Sequence, residues 1–145
     1  MKRRDGFTLV ELVVVILILG ILAGVAAPKM FRTSAKATDN GLKQTLAIVR
    51  DAIELYQAQS SIPLACTGTG TDFRAALKPY IRGPFPKCPV GTTPMQNDLV
   101  KPTSGLTTTP DGTVAGWMYN TTTSEFICNN TGPSAADPMV NYSAF

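Results

Sequence analysis

Residues 7–28 read FTLVELVVVILILGILAGVAAP, and Glu11 is the only charged side chain among them. The uncharged stretch runs to Ala27. As a helix, residues 7–27 would span about 31 Å, close to the roughly 30 Å hydrocarbon thickness of a bilayer. Lys2, Arg3, Arg4 and Asp5 precede the run, and Lys29, Arg32 and Lys36 follow it. An acid deep in a membrane costs about 2.5–3.5 kcal/mol on insertion scales, less near the interface. A plain anchor gains nothing from that cost, so Glu11 is read as a functional charge that needs a partner. The positive charges on the two sides nearly balance, so they do not orient a simple anchor. A cleaved secretory signal fits poorly too. Glu11 interrupts the apolar region early, the run exceeds the usual middle section of about 7–15 residues, and Pro28 directly follows the small residues of GVAA.

Pro28 is expected to kink the helix rather than end it. No turn cluster follows, and Gly24, one turn earlier, gives a bent helix room to repack. Helical periodicity then resumes. Leu42, Leu46, Val49, Ile53 and Tyr56 recur at helical spacing, Ile48, Ala52 and Leu55 widen the stripe, and Lys43, Arg50, Asp51, Glu54 and Gln57 lie opposite. This amphipathic helix is expected to run to about Ser60, where Ser60, Ser61 and Pro63 break the pattern. Asp72 is expected to cap a short helix, FRAALKPYI, with Phe73, Leu77 and Tyr80 on its apolar side. Residues 91–112 are rich in Thr, Pro, Asn and Gly and read as a long loop with one weak strand. The clearest β signal is a hairpin: a strand over 114–119, a turn at 121–124 and a strand over 125–128, with Trp117 and Tyr119 on one face and Phe126 and Cys128 likewise. Those aromatic residues read as the core that receives Leu46, Val49 and Ile53.

The chain has 145 residues and a formal net charge of +3. Beyond the first six residues only ten bases face nine acids, so no basic surface for nucleic acid is expected. Histidine is absent, and no G-x-S-x-G occurs, which argues against a nucleophilic enzyme. Asp51 and Glu54 read as a solvated helix face. The N-x-S/T matches at Asn120, Asn129 and Asn141 read as chance in a Thr- and Asn-rich tail. Cys66, Cys88 and Cys128 lack zinc-ligand spacing. In an exported domain they imply one disulfide and one free thiol. The leaning is to Cys66–Cys88, which closes a local loop, with Cys88–Cys128 close behind.

The series Lys2-Arg3-Arg4-Asp5-Gly6, then Phe7-Thr8-Leu9-Val10-Glu11, then an apolar helix reaching Pro28, closely resembles the N-terminus of type IV prepilins and of the pseudopilins of type II secretion. The match covers about the first 30 residues. Pro28-Lys29-Met30 and the connector GPFPKCPVG look most like the major pseudopilins of the protein G type. The resemblance implies an α+β pilin-like fold: a long kinked N-terminal helix packed on a small C-terminal antiparallel sheet domain. It implies a leader at 1–6, a membrane and polymerisation helix at 7–28, an amphipathic helix at 29–61, and a periplasmic domain at 62–145 with the hairpin near 114–128.

The same resemblance implies that a prepilin peptidase cuts between Gly6 and Phe7 and methylates the new Phe7 amine. It further implies that Glu11 of one subunit meets the Phe7 amine of a neighbour. The chain is then the substrate of the peptidase and not itself an enzyme. The implied partners are further copies of the chain in a homo-oligomeric fiber, other pseudopilins, the inner-membrane assembly platform and the membrane itself. The implied location is the bacterial inner membrane, as a single pass, with the C-terminal domain in the periplasm. The implied role is a pseudopilin fiber that helps export folded proteins. The alternatives are a surface pilus for adhesion, motility or DNA uptake, and a membrane-anchored binding module using the Trp117 hairpin. No cofactor is expected. Major pseudopilins often bind calcium in a C-terminal loop, but here Asp111, Glu125 and Asp137 are widely spaced, with Asn129 and Asn130 as further oxygen donors.

Overall fold

The computed structural model describes residues 7–92 and 95–145, and these divide into two compact units between Ala35 and Lys36. One helix, α1 (Leu9–Gln59), belongs to both and carries Pro28 inside it. Proline lacks the N–H for the helical bond and costs about 3 kcal/mol in a helix interior, yet the helix continues, as expected. The polar stretch after Arg32 is helical as well, so no break separates the apolar and amphipathic segments.

In the first unit every side chain from Phe7 to Ser34 is exposed. Burying a Leu, Ile, Val or Phe is worth roughly 1.5–3 kcal/mol. A run of this length left in water would forfeit more than the whole net stability of a small domain, about 5–15 kcal/mol. Its surroundings must therefore be apolar. By length and composition α1 can cross a membrane, with an 18-residue window of mean hydropathy 2.9.

The second unit is built on the later turns of α1. Leu42, Leu46, Val49, Ala52 and Ile53 are buried as the periodicity predicts. The stripe is narrower than expected, because Ile48 and Leu55 remain about half exposed at 47% and 49%. Arg50 departs from its expected place on a solvated face. Its Nε and one terminal nitrogen donate to Phe126 O at 3.1 and 3.0 Å, and the other donates to Phe145 O at 2.8 Å. One guanidinium thus fastens the helix to two segments of the domain.

α2 (Thr71–Leu77) is shorter than predicted and starts before Asp72. Gly70 stands at its N-cap with φ 69°, a backbone that glycine adopts without strain. The Asp72 carboxylate instead accepts from Thr67 N and Oγ1 at 3.0 and 2.9 Å, closing the loop in front of the helix. Phe73 and Leu77 face the core as expected, and Tyr80 is partly buried against it.

Three strands follow: β1 (Val100–Thr103), β2 (Trp117–Asn120) and β3 (Phe126–Cys128), in the order β1-β2-β3. The hairpin is present, with Trp117 opposite Cys128 and Tyr119 opposite Phe126 in antiparallel register. Its turn is held by Asn120, whose Oδ1 accepts from Thr122 N and Thr123 N. Two expectations need correction. The sheet is mixed rather than antiparallel, because β1 pairs with β2 in parallel, Val100 opposite Trp117. A parallel connection needs about a dozen residues or more, and the loop between β1 and β2 supplies them. Pro102 is tolerated there because β1 is an edge strand. The first hairpin strand also begins three residues later than expected. The Asn97 side chain captures the preceding backbone: its Nδ2 donates to Val114 O at 2.6 Å and its Oδ1 accepts from Gly116 N at 3.0 Å.

Phe73, Trp117, Tyr119 and Phe126 are essentially fully buried and join α1, α2 and the sheet in one core. The Phe73 ring lies 4.6 Å from Tyr119 and 5.8 Å, stacked, from Phe126. The predicted aromatic core is thus in place. Asn120 and Asn129 are fully buried, so neither can act as a surface acceptor for a glycan.

Candidate functional site

The start of α1 is where the sequence concentrates its unusual chemistry. Gly6 and the basic residues before it lie outside the described residues. Phe7 is 88% exposed. Thr8 is the N-cap. Its backbone N–H donates to Glu11 Oε2 at 2.8 Å, its hydroxyl donates to the same oxygen at 2.8 Å, and Glu11 N donates to Thr8 Oγ1 at 3.3 Å. The two residues exchange bonds across the first turn, which is a capping box. It satisfies helix N–H groups that would otherwise lack partners, and in an apolar medium each such group costs several kcal/mol. A carboxylate near a helix N-terminus also meets the positive end of the helix dipole.

Glu11 therefore has a use within a single chain, apart from any partner on another subunit. The signal was present in the letters: Thr8-Leu9-Val10-Glu11 has the T-x-x-E spacing immediately before an apolar run. A carboxylate offers about four lone-pair positions, so the Thr8 donors do not exhaust it.

Farther along, Pro28 and Gly24 lie within the continuous helix. A Cβ built on Gly20 or Gly24 would meet no atom within 4 Å. Packing inside this chain therefore does not require either glycine.

The C-terminal acids are dispersed. Glu125 accepts from the Thr108 hydroxyl, Asp137 accepts from Met139 N at 3.1 Å, and Asp111 pairs with the Lys101 ammonium. Asp111 also accepts from Asn129 Nδ2 at 2.9 Å and from Thr113 N and Oγ1 at 3.1 and 2.8 Å. The cation facing Asp111 is a lysine, and among the described residues no group of three His, Cys, Asp or Glu is placed to hold a metal ion.

Burial works to raise the Asp111 pKa, but the Lys101, Asn129 and Thr113 donors outweigh it and hold the carboxyl well below the usual range. Asp72 is lowered as well, chiefly by the Thr67 N–H. Carboxyls with depressed folded-state pKa values contribute stability above their unfolded values, near 4, and lose it as pH falls toward the folded values. Thermal unfolding of the full chain should therefore weaken progressively below about pH 4. Asp111→Asn should lower Tm at neutral pH and flatten that acid limb. Parallel acid limbs in the two proteins would show that Asp111 is not one of the groups responsible.

The three cysteines are all buried. Burial, with the Asp72 charge adding to it, pushes the Cys66 thiol up to about 12, so it is unreactive where it lies. Cys66 Sγ faces Val100 O at 3.9 Å, whereas Cys88 Sγ lies 3.5 Å from Cys128 Sγ. The geometry favours the second of the two expected pairings over the first.

Comparison with known proteins places this N-terminal constellation. The prokaryotic N-terminal methylation motif matches residues 1–27. The type II secretion system core protein G of Klebsiella pneumoniae is 36% identical over 61 residues, covering 42% of this chain and 44% of that protein. The fimbrial protein EcpB of Eikenella corrodens is 41% identical over 63 residues, 43% of this chain and 40% of its own length. The type IV narrow pilus major component PilA5 of Thermus thermophilus is 38% identical over 58 residues, 40% of this chain and 50% of its own. The chain spans less than half the length of the curated relatives that head the comparison. No solved structure matches it.

Proposed function

We propose that this type IV pilin-like chain, which carries the prokaryotic N-terminal methylation motif, is a structural subunit of a fiber, specifically a pseudopilin of a type II secretion system. The observation that carries the proposal is the apolar run from Phe7 to Ala27, exposed along its length in the single chain and carrying one carboxylate, Glu11. Such a surface suits two environments in succession, a bilayer before assembly and the packed helices of a fiber afterwards. Repeated likeness to type II secretion core protein G supports the choice within the family.

In this account a prepilin peptidase cleaves between Gly6 and Phe7 on the cytoplasmic side, where Lys2, Arg3 and Arg4 hold the leader. Gly6 lets the peptide backbone approach the peptidase closely. The same enzyme methylates the Phe7 amine. Before assembly the chain sits in the inner membrane with residues 29–145 in the periplasm. An assembly platform then draws it into the fiber beside further copies and other pseudopilins. There Glu11 faces the Phe7 amine of a neighbour. The pair sets register, because an unmatched charge in an apolar core is costly. Pro28, with Gly20 and Gly24 before it, marks where the helix bends or loosens as it leaves the membrane.

A surface pilus is the second reading, favoured by the likeness to the Eikenella fimbrial protein and the Thermus pilus component. Recovering fibers both from sheared cell surfaces and from lysed cell envelopes, in cells that express the chain together with its assembly machinery, tests the common core. Fibers containing this chain are expected, and their absence would defeat both readings. Accumulation of secreted proteins in the periplasm when the gene is deleted supports the secretion role. Loss of surface fibers with secretion intact supports the pilus.

A further inference from the structure

We propose that Cys88 and Cys128 form an intrachain disulfide that staples the second unit, while Cys66 remains a thiol. The two sulfurs lie 3.5 Å apart in the core, and the residues are separated by 40 positions in the chain. A disulfide bond of about 2.05 Å needs the two sulfurs to close by only about 1.5 Å. Each cysteine is held by backbone that cannot easily drift. Cys128 ends β3 opposite Trp117. Cys88 N donates to Asn97 O at 2.9 Å.

Between them lies Gly116, whose carbonyl accepts from Asn129 N at 3.0 Å. A Cβ on Gly116 would stand 2.7 Å from the Cys88 Cβ and 2.6 Å from Met95 O. The bare glycine therefore makes the space through which Cys88 reaches Cys128. The loop so closed contains β1 and β2 entire. It ties the proline-rich connector around Cys88 to the far strand of the sheet. Cys66 takes no part, since its sulfur is directed at Val100 O.

The folded pair is 2% and 0% exposed, so oxidation must occur while the domain folds. The oxidant required is a disulfide donor, such as an exported dithiol oxidase or glutathione disulfide. One cysteine thiolate attacks a donor sulfur, forming a mixed disulfide and releasing the other donor sulfur as a thiolate. The second cysteine, losing its proton, attacks the chain's own sulfur in that mixed disulfide. The new S–S bond forms, the donor's two sulfurs have both left as thiols, and two electrons have passed to them.

Formation in cells rests on the proposed periplasmic location, but the choice of pair does not. Full-length chain, reduced in guanidinium and refolded into detergent with glutathione and glutathione disulfide, should yield a Cys88–Cys128 cross-linked peptide with Cys66 alkylated. Cys66→Ser should retain the cross-link and Cys88→Ser should abolish it. Reduction should shift the folding equilibrium by roughly 10³-fold, from closure of a loop of this length. A link through Cys66, or three alkylated thiols after refolding, overturns the proposal. Chain taken from cell membranes should carry the same cross-link. If it is fully reduced there while the refolded chain pairs Cys88 with Cys128, the pairing stands and the periplasmic placement fails.

Discussion

Replacing Phe73 with alanine is expected to lower the stability of the second unit by about 3–5 kcal/mol. Phe73 is fully buried, and its ring meets Tyr119, Phe126 and Phe85 at centroid distances of 4.6, 5.8 and 6.1 Å. It is the point where α2 joins the sheet. Truncation removes the transfer energy of the ring and leaves a cavity that strands on one side and α1 on the other cannot collapse to fill. Aromatic pairing adds roughly 0.5–1.5 kcal/mol per contact beyond area. Because small domains have about 5–15 kcal/mol in total, this one change takes the unit close to unfolding. Urea unfolding of the full chain in detergent measures it. Phe31→Ala is the comparison, since Phe31 is 76% exposed and its loss should change stability by less than about 0.5 kcal/mol. Equal effects for the two substitutions would contradict the assigned core.

Glu11→Val is expected to leave leader cleavage intact and abolish fibers. Leaving a buried amine without its carboxylate costs about 3–5 kcal/mol. That corresponds to a loss of roughly 10²–10³-fold or more in each subunit-addition equilibrium. The capping box offers a rival explanation, because Glu11 also holds Thr8 N and Oγ1 at 2.8 Å. Loss of a cap costs only about 0.5–2 kcal/mol. Glu11→Gln separates the two roles: glutamine still serves in a capping box but carries no charge. The pairing account expects Glu11→Gln to fail in assembly nearly as completely as Glu11→Val. It expects Thr8→Ala, which removes the cap and keeps the charge, to assemble with a modest deficit. Fibers from Glu11→Gln at normal yield would transfer the role of Glu11 to the cap.

The features legible in the sequence were those written locally. The apolar run, the helix through Pro28 and the buried positions from Leu42 to Ile53 all follow from composition and a period of 3.6 residues. The hairpin pairing of Trp117 and Tyr119 with Cys128 and Phe126 was likewise visible as alternation around a turn. What the letters concealed depends on distant partners. β1 is a four-residue strand containing Pro102, and only its parallel alignment with β2 makes it a strand at all. The start of β2 is decided by the Asn97 amide, 17 residues before the carbonyl it holds. The Cys88–Cys128 proximity depends on Gly116 lying bare between two loops. Thr8 and Glu11 are a different case. Their T-x-x-E spacing is local and readable, and it sets the bonds that the charge makes at the helix end.

The central claim is that Phe7 becomes the N-terminus of a fiber subunit. Intact-mass and N-terminal peptide spectrometry of the chain recovered from membranes and from fibers tests it most directly. The account predicts a protein that lacks residues 1–6, begins at Phe7 and is heavier by one methyl group on its amine. A chain that retains Met1, or one that begins near Pro28 as a cleaved secretory protein would, contradicts it.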